Sequence, residues 1–210
     1  MNNTYGKVLI LNGSPHEHGT TRRAIDEVCA VLRSEGYECE IRTLGALEAR
    51  GCRACGACRK LGRCVIDDCV NELASSFADA DGIILASPVY YAAPNGAFLA
   101  ILNRLFYSTG YDKTMKVGAA IVAARRGGCT ASFDVLNKYF SISGMPVASS
   151  YYWDQIHGTS YDEAGEDLEG VDTMRSLGKN MAFLMKAIRD AKEKYGEPKR
   201  EKKSYTNFIR

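Results

Sequence analysis

With 210 residues, 46% hydrophobic side chains and a formal net charge of +2, the chain is sized for one α/β domain with a substantial core. The charge is too near zero to argue for a nucleic-acid partner, and no apolar run approaches the length of a membrane span. The opening MNNTYGKVLIL lacks the basic region, long apolar stretch and small-residue cleavage site of a signal peptide, so a cytoplasmic location is expected.

In chain order, residues 8–11 form a short continuous apolar run with β-branched members, which predicts a strand buried on both faces. The run stops at Asn12-Gly13-Ser14-Pro15, a turn cluster, and a loop of hydroxyls, imidazoles and glycine leads to Thr20-Thr21. Ala24, Ile25, Val28, Val31 and Leu32 then recur at helical spacing up to a stop at Gly36. A strand, a small polar loop and a helix N-terminus present backbone N–H groups and a positive dipole end to an anion. An ordinary βα turn with an N-cap threonine fits the same residues.

Residues 38–44 alternate polar and apolar and predict a second strand, charged enough for a sheet edge. Residues 51–67 have little periodicity and read as an irregular Cys-rich insertion. Asp67-Asp68 then caps a helix carrying Val70, Leu73, Phe77 and Ala78 on one face. Residues 82–86 predict a third strand. The helix after Gly96 carries Phe98, Leu99, Ile101, Leu102, Leu105 and Phe106, apolar around most of its circumference, and is expected to pack on the sheet and on a second subunit. Residues 116–124 predict a fourth strand ending in Arg125-Arg126-Gly127-Gly128, followed by a helix with Phe133, Val135, Leu136, Tyr139 and Phe140. Residues 145–152 predict the fifth strand, and Met174, Leu177, Met181, Leu184, Met185 and Ile188 mark a long last helix.

Strands alternating with helices throughout predict a doubly wound parallel sheet of five strands, order 2-1-3-4-5, in one domain over residues 1–195. Residues 196–210 form a basic tail expected to be solvated, although Tyr205 and Phe208 leave docking on a partner subunit open.

In such a sheet the loops after strands one, three and four converge on one crevice. The first loop has neither G-x-G-x-x-G with an acidic residue ending the second strand nor G-x-x-x-x-G-K-[ST], which argues against a nicotinamide Rossmann site and a P-loop. Ser14, Thr20 and Thr21 instead offer hydroxyls for a phosphomonoester, with His16, His18 and Arg22 nearby. In the second loop, Tyr90, Tyr91 and Asn95 suit the plane and edges of a flat heteroaromatic ligand, and Pro88 and Val89 would line it; packing at the strand end explains the tyrosines equally well. In the third loop Gly127 and Gly128 permit close backbone approach and Arg125 brings charge. Phosphate at loop one and a ring between loops two and three describe a flavin mononucleotide (FMN) site.

Eight cysteines are many for a chain in a reducing compartment, where a disulfide framework is not expected. Cys29, Cys39 and Cys129 are scattered and read as small core residues. Cys52, Cys55, Cys58 and Cys64 are spaced C-x2-C-x2-C-x5-C, so that their thiolates can face one centre, a 4Fe-4S cluster or a zinc ion. Three closely spaced cysteines fit a cluster better than the separated pairs of a zinc ribbon. Zinc, a reversible disulfide and free thiols stay open. Arg53, Arg59, Lys60 and Arg63 favour thiolates and a negatively charged cluster.

GSPHEHGTT resembles the phosphate loop GSPRxxGNT of the NAD(P)H-dependent FMN reductases of the flavodoxin-like superfamily. SPVYYAAPNGAFLAILNRL is similar to their second flavin loop and following helix, SPVYYxxxxGxLKxFxDR, and the likeness runs from residue 7 to about 189. The cysteine loop resembles the iron-sulfur flavoprotein branch, whose compact motif binds a 4Fe-4S cluster. The resemblance implies a flavodoxin-like fold, bound FMN, and a homodimer or homotetramer. His16 stands where the family often has Arg, Thr20 where Asn is usual, and Cys69 where a methionine commonly follows the paired aspartates.

The expected activity is FMN-dependent oxidation of NADH or NADPH, with electrons passed to the cluster or to a small acceptor such as a quinone or free flavin, or to a redox protein. Ser14, His16, Thr20 and Thr21 would hold the phosphate, Pro88 to Tyr91 and Asn95 the ring, and Arg125, Gly127 and Gly128 its pyrimidine side. No side chain is expected to act as acid or base, and His157 is expected to be structural. The rivals are a flavodoxin-like electron carrier without nicotinamide turnover and a zinc- or thiol-based redox-sensing module.

Overall fold

The computed structural model describes residues 5–199 together with 201, 204, 206 and 208. Its strands are β1 (Gly6–Asn12), β2 (Tyr37–Thr43), β3 (Gly82–Tyr90), β4 (Ala93–Pro94), β5 (Val117–Ala124) and β6 (Gln155–His157). Its helices are α1 (Thr20–Ser34), α2 (Cys58–Leu61), α3 (Cys69–Asp79), α4 (Gly96–Ser108), α5 (Cys129–Ile142), α6 (Tyr161–Glu166) and α7 (Leu168–Tyr195).

The strand order is β2-β1-β3-β5-β6, all pairs parallel, with the two-residue β4 folded back antiparallel on β3. Counting the parallel strands alone, this is the expected order 2-1-3-4-5. Val8, Leu9, Ile10 and Leu11 are all fully buried. Because strand side chains alternate faces, Val8 and Ile10 enter the core under α1 and α7, while Leu9 and Leu11 enter the core under α3, α4 and α5. Each such side chain taken from water contributes about 1.5–3 kcal/mol, which makes β1 the spine of both layers.

The fifth parallel strand lies later than the sequence predicts. Residues 145–152 touch β5 only around Gly118, through Gly118 N–H to Pro146 O (2.8 Å) and Ala148 N–H to Gly118 O (2.8 Å). The chain then leaves the sheet: Ser150 Oγ donates to Tyr152 O at 2.6 Å, and Tyr151, Tyr152 and Trp153 are exposed. It returns as β6, with Val122↔Gln155 in register. Pro146 has no N–H and the Ser150 turn closes on itself, so the predicted strand is reduced to one bridge. The cysteine insertion also differs from a wholly irregular loop, since Cys58–Leu61 makes one helical turn. Phe208 is exposed, and Tyr205 lies outside the described residues.

Asp68 caps α3 as expected, accepting from Val70 N–H at 3.1 Å. No helix among the described residues is long and apolar enough to cross a membrane.

Candidate functional site

The carboxyl ends of β1, β3, β5 and β6 open into one crevice of about 190 Å³, lined by Ser14, His16, Gly19, Thr20, Thr21, Pro88, Val89, Tyr90, Ala123, Ala124, Arg125, Gly158 and Thr159. Eight of the twelve cofactor residues expected from sequence, Ser14, His16, Thr20, Thr21, Pro88, Val89, Tyr90 and Arg125, are brought together there.

The N-terminus of α1 faces this crevice without a cap. The residue before the helix is Gly19 rather than a threonine, it makes no side-chain cap bond, and the first turn holds no acidic residue. The leading N–H groups of a fifteen-residue helix are thus left for an external acceptor. Ser14 is buried beside them and its Oγ accepts from His16 N–H at 3.2 Å, which leaves its own proton to donate. Thr21 is buried, and among the described residues its hydroxyl makes no hydrogen bond. Thr20 differs: its hydroxyl is directed at Gly158 O (3.0 Å) and Ser160 O (3.2 Å), tying α1 to the loop after β6. Its side chain is therefore a strut, and only its backbone N–H remains for a ligand.

In the second loop, β3 and β4 make a small hairpin with Tyr91 at its tip. Tyr91 has φ +57° and is fully exposed, and it is not part of the crevice wall. Tyr90 is about half exposed on the wall, and partial burial raises its phenol pKa. Asn95 is buried below the crevice instead of lining it. Its Oδ1 accepts from Ala97 and Phe98 N–H, capping α4, and its Nδ2 donates to Gly13 O (3.0 Å) and Gly45 O (3.1 Å). With every polar position engaged, the amide has nothing left for a flavin edge.

In the third loop, Arg125 and Arg126 are exposed and make no ion pair among the described residues. Gly128 caps α5 at φ +91°, and a Cβ there would approach Val89 Cγ1 to 2.8 Å. The glycine thus lets the Arg-Gly-Gly loop lie against the β3 loop, which closes the crevice floor. Gly127 meets nothing and extends into solvent.

Gly19, Ala123, Ala124, Gly158 and Thr159 line the crevice without having been expected. The two alanines were legible as the last residues of a strand ending at the crevice; Gly158 and Thr159 enter through the long-range Thr20 contacts and carry no local signal. His157 sits just behind: its N–H donates to Asp167 Oδ2 at 2.7 Å, its ring is 3.5 Å from the same carboxylate, and Nε2 is 4.0 Å from Cys129 Sγ. Burial raises the Cys129 thiol pKa, consistent with its core position. The open helix terminus, the buried Ser14 hydroxyl and the Gly128 cradle fit a phosphate-bearing flat cofactor.

Cys52, Cys55, Cys58 and Cys64 line a second, separate and much smaller hollow, about 30 Å³, with Arg104, Tyr107 and Ser108. Cys52 and Cys55 are exposed, Cys58 and Cys64 half-buried. Among the described residues no three metal-binding side chains are gathered into a ready ligand set. The donor set itself fits a thiolate-held group: four cysteines of one loop line one hollow beside the buried Arg104 guanidinium, and their thiolates would have to draw together to hold it. Asn71 fixes the backbone of Cys64 from both sides, its Oδ1 accepting from Cys64 N–H (3.1 Å) and its Nδ2 donating to Cys64 O (3.2 Å). All eight cysteines are free thiols.

The family model for NADPH-dependent FMN reductase matches residues 6–158. An iron-sulfur flavoprotein of Methanocaldococcus jannaschii is 31% identical over 191 residues, covering 87% of this chain and 99% of the relative. An iron-sulfur flavoprotein of Methanosarcina thermophila is 29% identical, covering 90% of this chain and 100% of the relative. Among solved structures, RosB with bound 8-demethyl-8-formylriboflavin-5'-phosphate superposes with a TM-score of 0.68 at 17% identity, covering 97% of this chain and 92% of that one, a likeness of fold. The chain is an FMN-binding oxidoreductase with a flavodoxin-like fold, and it belongs to the NADPH-dependent FMN reductase family, alongside the iron-sulfur flavoproteins.

Proposed function

We propose that this oxidoreductase takes electrons from NADH or NADPH onto FMN held in the crevice, and passes them to a 4Fe-4S cluster on the four-cysteine loop or to a small acceptor such as a quinone or free flavin. The observation that carries the reading is the uncapped N-terminus of α1 opening beside the buried Ser14 hydroxyl. An anion gains both N–H donors and the positive helix end there.

FMN, when bound, supplies the hydride-accepting chemistry. The chain's own part is orientation. The N–H groups of Thr20, Thr21 and Arg22 with Ser14 Oγ hold the phosphate, and Pro88, Val89 and Tyr90 give the ring a wall on one side. The Arg125 to Gly128 loop offers N–H donors and positive charge where reduction places negative charge on the pyrimidine edge. Cys52, Cys55, Cys58 and Cys64 would hold the cluster in the second hollow. The exposure of Tyr90 on the crevice wall and of Tyr91 at the tip of the adjoining hairpin favours a homodimer or homotetramer in which a second copy covers the ring. Eight free thiols suit a reducing compartment.

The test is the visible spectrum of anaerobically purified protein with its iron and sulfide content, followed by titration with NADH and NADPH. Flavin absorption that bleaches with either nucleotide is expected. A colourless protein that does not bind added FMN would sink the reading, and bound FMN that neither nucleotide bleaches would leave a flavodoxin-type carrier in its place.

A further inference from the structure

Arg104 is 1% exposed, and it is the sole charged side chain on α4. An arginine has five N–H donors, and here each has an acceptor. Nη1 donates to Asp68 Oδ2 at 2.6 Å and to Arg50 O at 3.2 Å. Nη2 donates to Asp68 Oδ1 at 2.7 Å and to Ile66 O at 3.2 Å. Nε donates to the sulfur of Cys64 at 3.3 Å.

The placement of these acceptors is informative. Arg50 directly precedes the cysteine loop, and Ile66 and Asp68 directly follow Cys64, so one guanidinium ties both ends of the loop to α4. The two-pronged bond to Asp68 depresses that carboxyl's pKa and balances the buried charge. With the other four donors on oxygen, Nε–H is aimed at sulfur, while Asn71 holds both the N–H and the carbonyl of Cys64.

We propose that Arg104 is the positioning residue of the four-cysteine centre: its Nε–H donates to the Cys64 sulfur and makes the group carried on the four thiolates easier to reduce. This rests on the cluster reading given under Proposed function. Adding one electron to such a group adds one negative charge, shared by its sulfur ligands, and makes or breaks no bond to the protein. The electron comes from the reduced flavin, which is oxidised in step. A hydrogen bond from a buried cation to a ligating sulfur is strengthened by that added charge, so it stabilises the reduced form more than the oxidised one. Arg104 keeps its proton throughout, since Asp68 raises an already high pKa. α4 also links the two hollows. Its cap Asn95 braces the flavin crevice, and Arg104 lies nine residues on, about 13 Å along the helix axis.

The experiment measures the midpoint potential, by optical titration, of the iron-loaded holoprotein and of two variants. Arg104→Lys keeps a positive charge and loses the Nε donor. Arg104→Gln combined with Asp68→Asn removes the donor and leaves no unpaired buried charge, which protects folding. Flavin absorption reports that each variant is folded. Both variants should show a reduction equilibrium about tenfold less favourable, close to 59 mV lower for one electron. The flavin couple should stay unchanged. Full iron content with unchanged potentials would overturn the role of Arg104 and leave the cluster reading standing. Iron lost from both variants with flavin retained would overturn the tuning and reduce Arg104 to a loop clamp. No iron or sulfide in the unsubstituted protein would overturn the cluster reading and this proposal with it.

Discussion

The Asn95 amide donates to the carbonyl of Gly13 at 3.0 Å, across 82 residues of chain. The same Nδ2 reaches Gly45 O, and Oδ1 caps α4, so one side chain fixes the end of β1, the turn after β2 and the helix after β4 relative to one another. Asn95→Ala removes the cap, worth about 1–2 kcal/mol, and leaves buried carbonyls without donors at about 1–3 kcal/mol. Asn95→Asp keeps the cap acceptor but turns an oxygen toward Gly13 O and Gly45 O. Both variants should unfold at lower temperature, and FMN should bind more weakly because the phosphate loop loses its brace. Thermal melts with and without FMN would check this; an Asn95→Asp protein as stable as the parent would mean that the amide donor contributes nothing.

Gly128 and Val89 make a second such pairing, between the β5 and β3 loops. Alanine at 128 must adopt φ +91° and bring its Cβ within 2.8 Å of Val89 Cγ1. The backbone cost alone is about 1–2 kcal/mol. Gly128→Ala should weaken FMN binding, and Val89→Ala in the same chain should restore part of the loss by removing the methyl group in the way. The coupling in this double-mutant cycle separates the close approach from the backbone strain, and strictly additive effects would place the whole penalty in the backbone.

The sequence disclosed most where burial is uniform. β1 and β5 have both faces covered, so they appear as continuous apolar runs, and the parallel order follows from the alternation with helices. β6 was missed because it is three residues long, Gln155–His157, with only Ile156 fully buried; its register is set by the edge of β5, which no local pattern reveals. The crevice loops were legible from composition, but the division of labour among their residues was not. Thr20 and Asn95 are polar residues beside a ligand-sized opening, and only long-range partners show that their side chains brace the walls. The Asn95-Gly96 pair ahead of an apolar helix does carry a capping signal that favours the brace. Arg104 is the one cation in an otherwise apolar helix, a signal the sequence reading passed over, and only its neighbours in space reveal its partners.

Asp154 makes stability depend on pH. Its carboxyl is buried just before β6, Oδ1 accepts from Ser150 N–H at 3.3 Å, and Oδ2 has no partner. Burial lifts its pKa to about 7. The native state therefore holds a proton that the unfolded chain releases near pH 4. This contribution is fully present below that point and is lost as pH rises through about 7, at ~1.4 kcal/mol for each pH unit crossed. Asp154→Asn has no proton to lose, so its advantage over the parent should grow from pH 5 to pH 8. Denaturant unfolding at both values measures this, and an equal difference between the two proteins at each pH would show that the carboxyl does not titrate in that window.

Ser14 and Thr20 both line the crevice, yet the structure assigns their hydroxyls opposite duties. Ser14 Oγ accepts from His16 N–H and keeps its proton for an incoming acceptor, whereas Thr20 donates to Gly158 and Ser160 carbonyls and so holds the β6 loop against α1. A hydrogen bond to a charged group contributes about 1.5–3 kcal/mol, so Ser14→Ala should weaken FMN binding by roughly tenfold or more while the unliganded melting temperature changes little. Adding Thr21→Ala should deepen the loss. Thr20→Val keeps the shape and removes the donor, so it should lower stability by about 1 kcal/mol and affect riboflavin and FMN alike, because it acts on the wall and not on the phosphate. Binding of FMN and riboflavin to each variant, followed by flavin fluorescence, separates the two duties. A Ser14→Ala protein that loses affinity for both flavins equally would show that the phosphate does not sit at the end of α1.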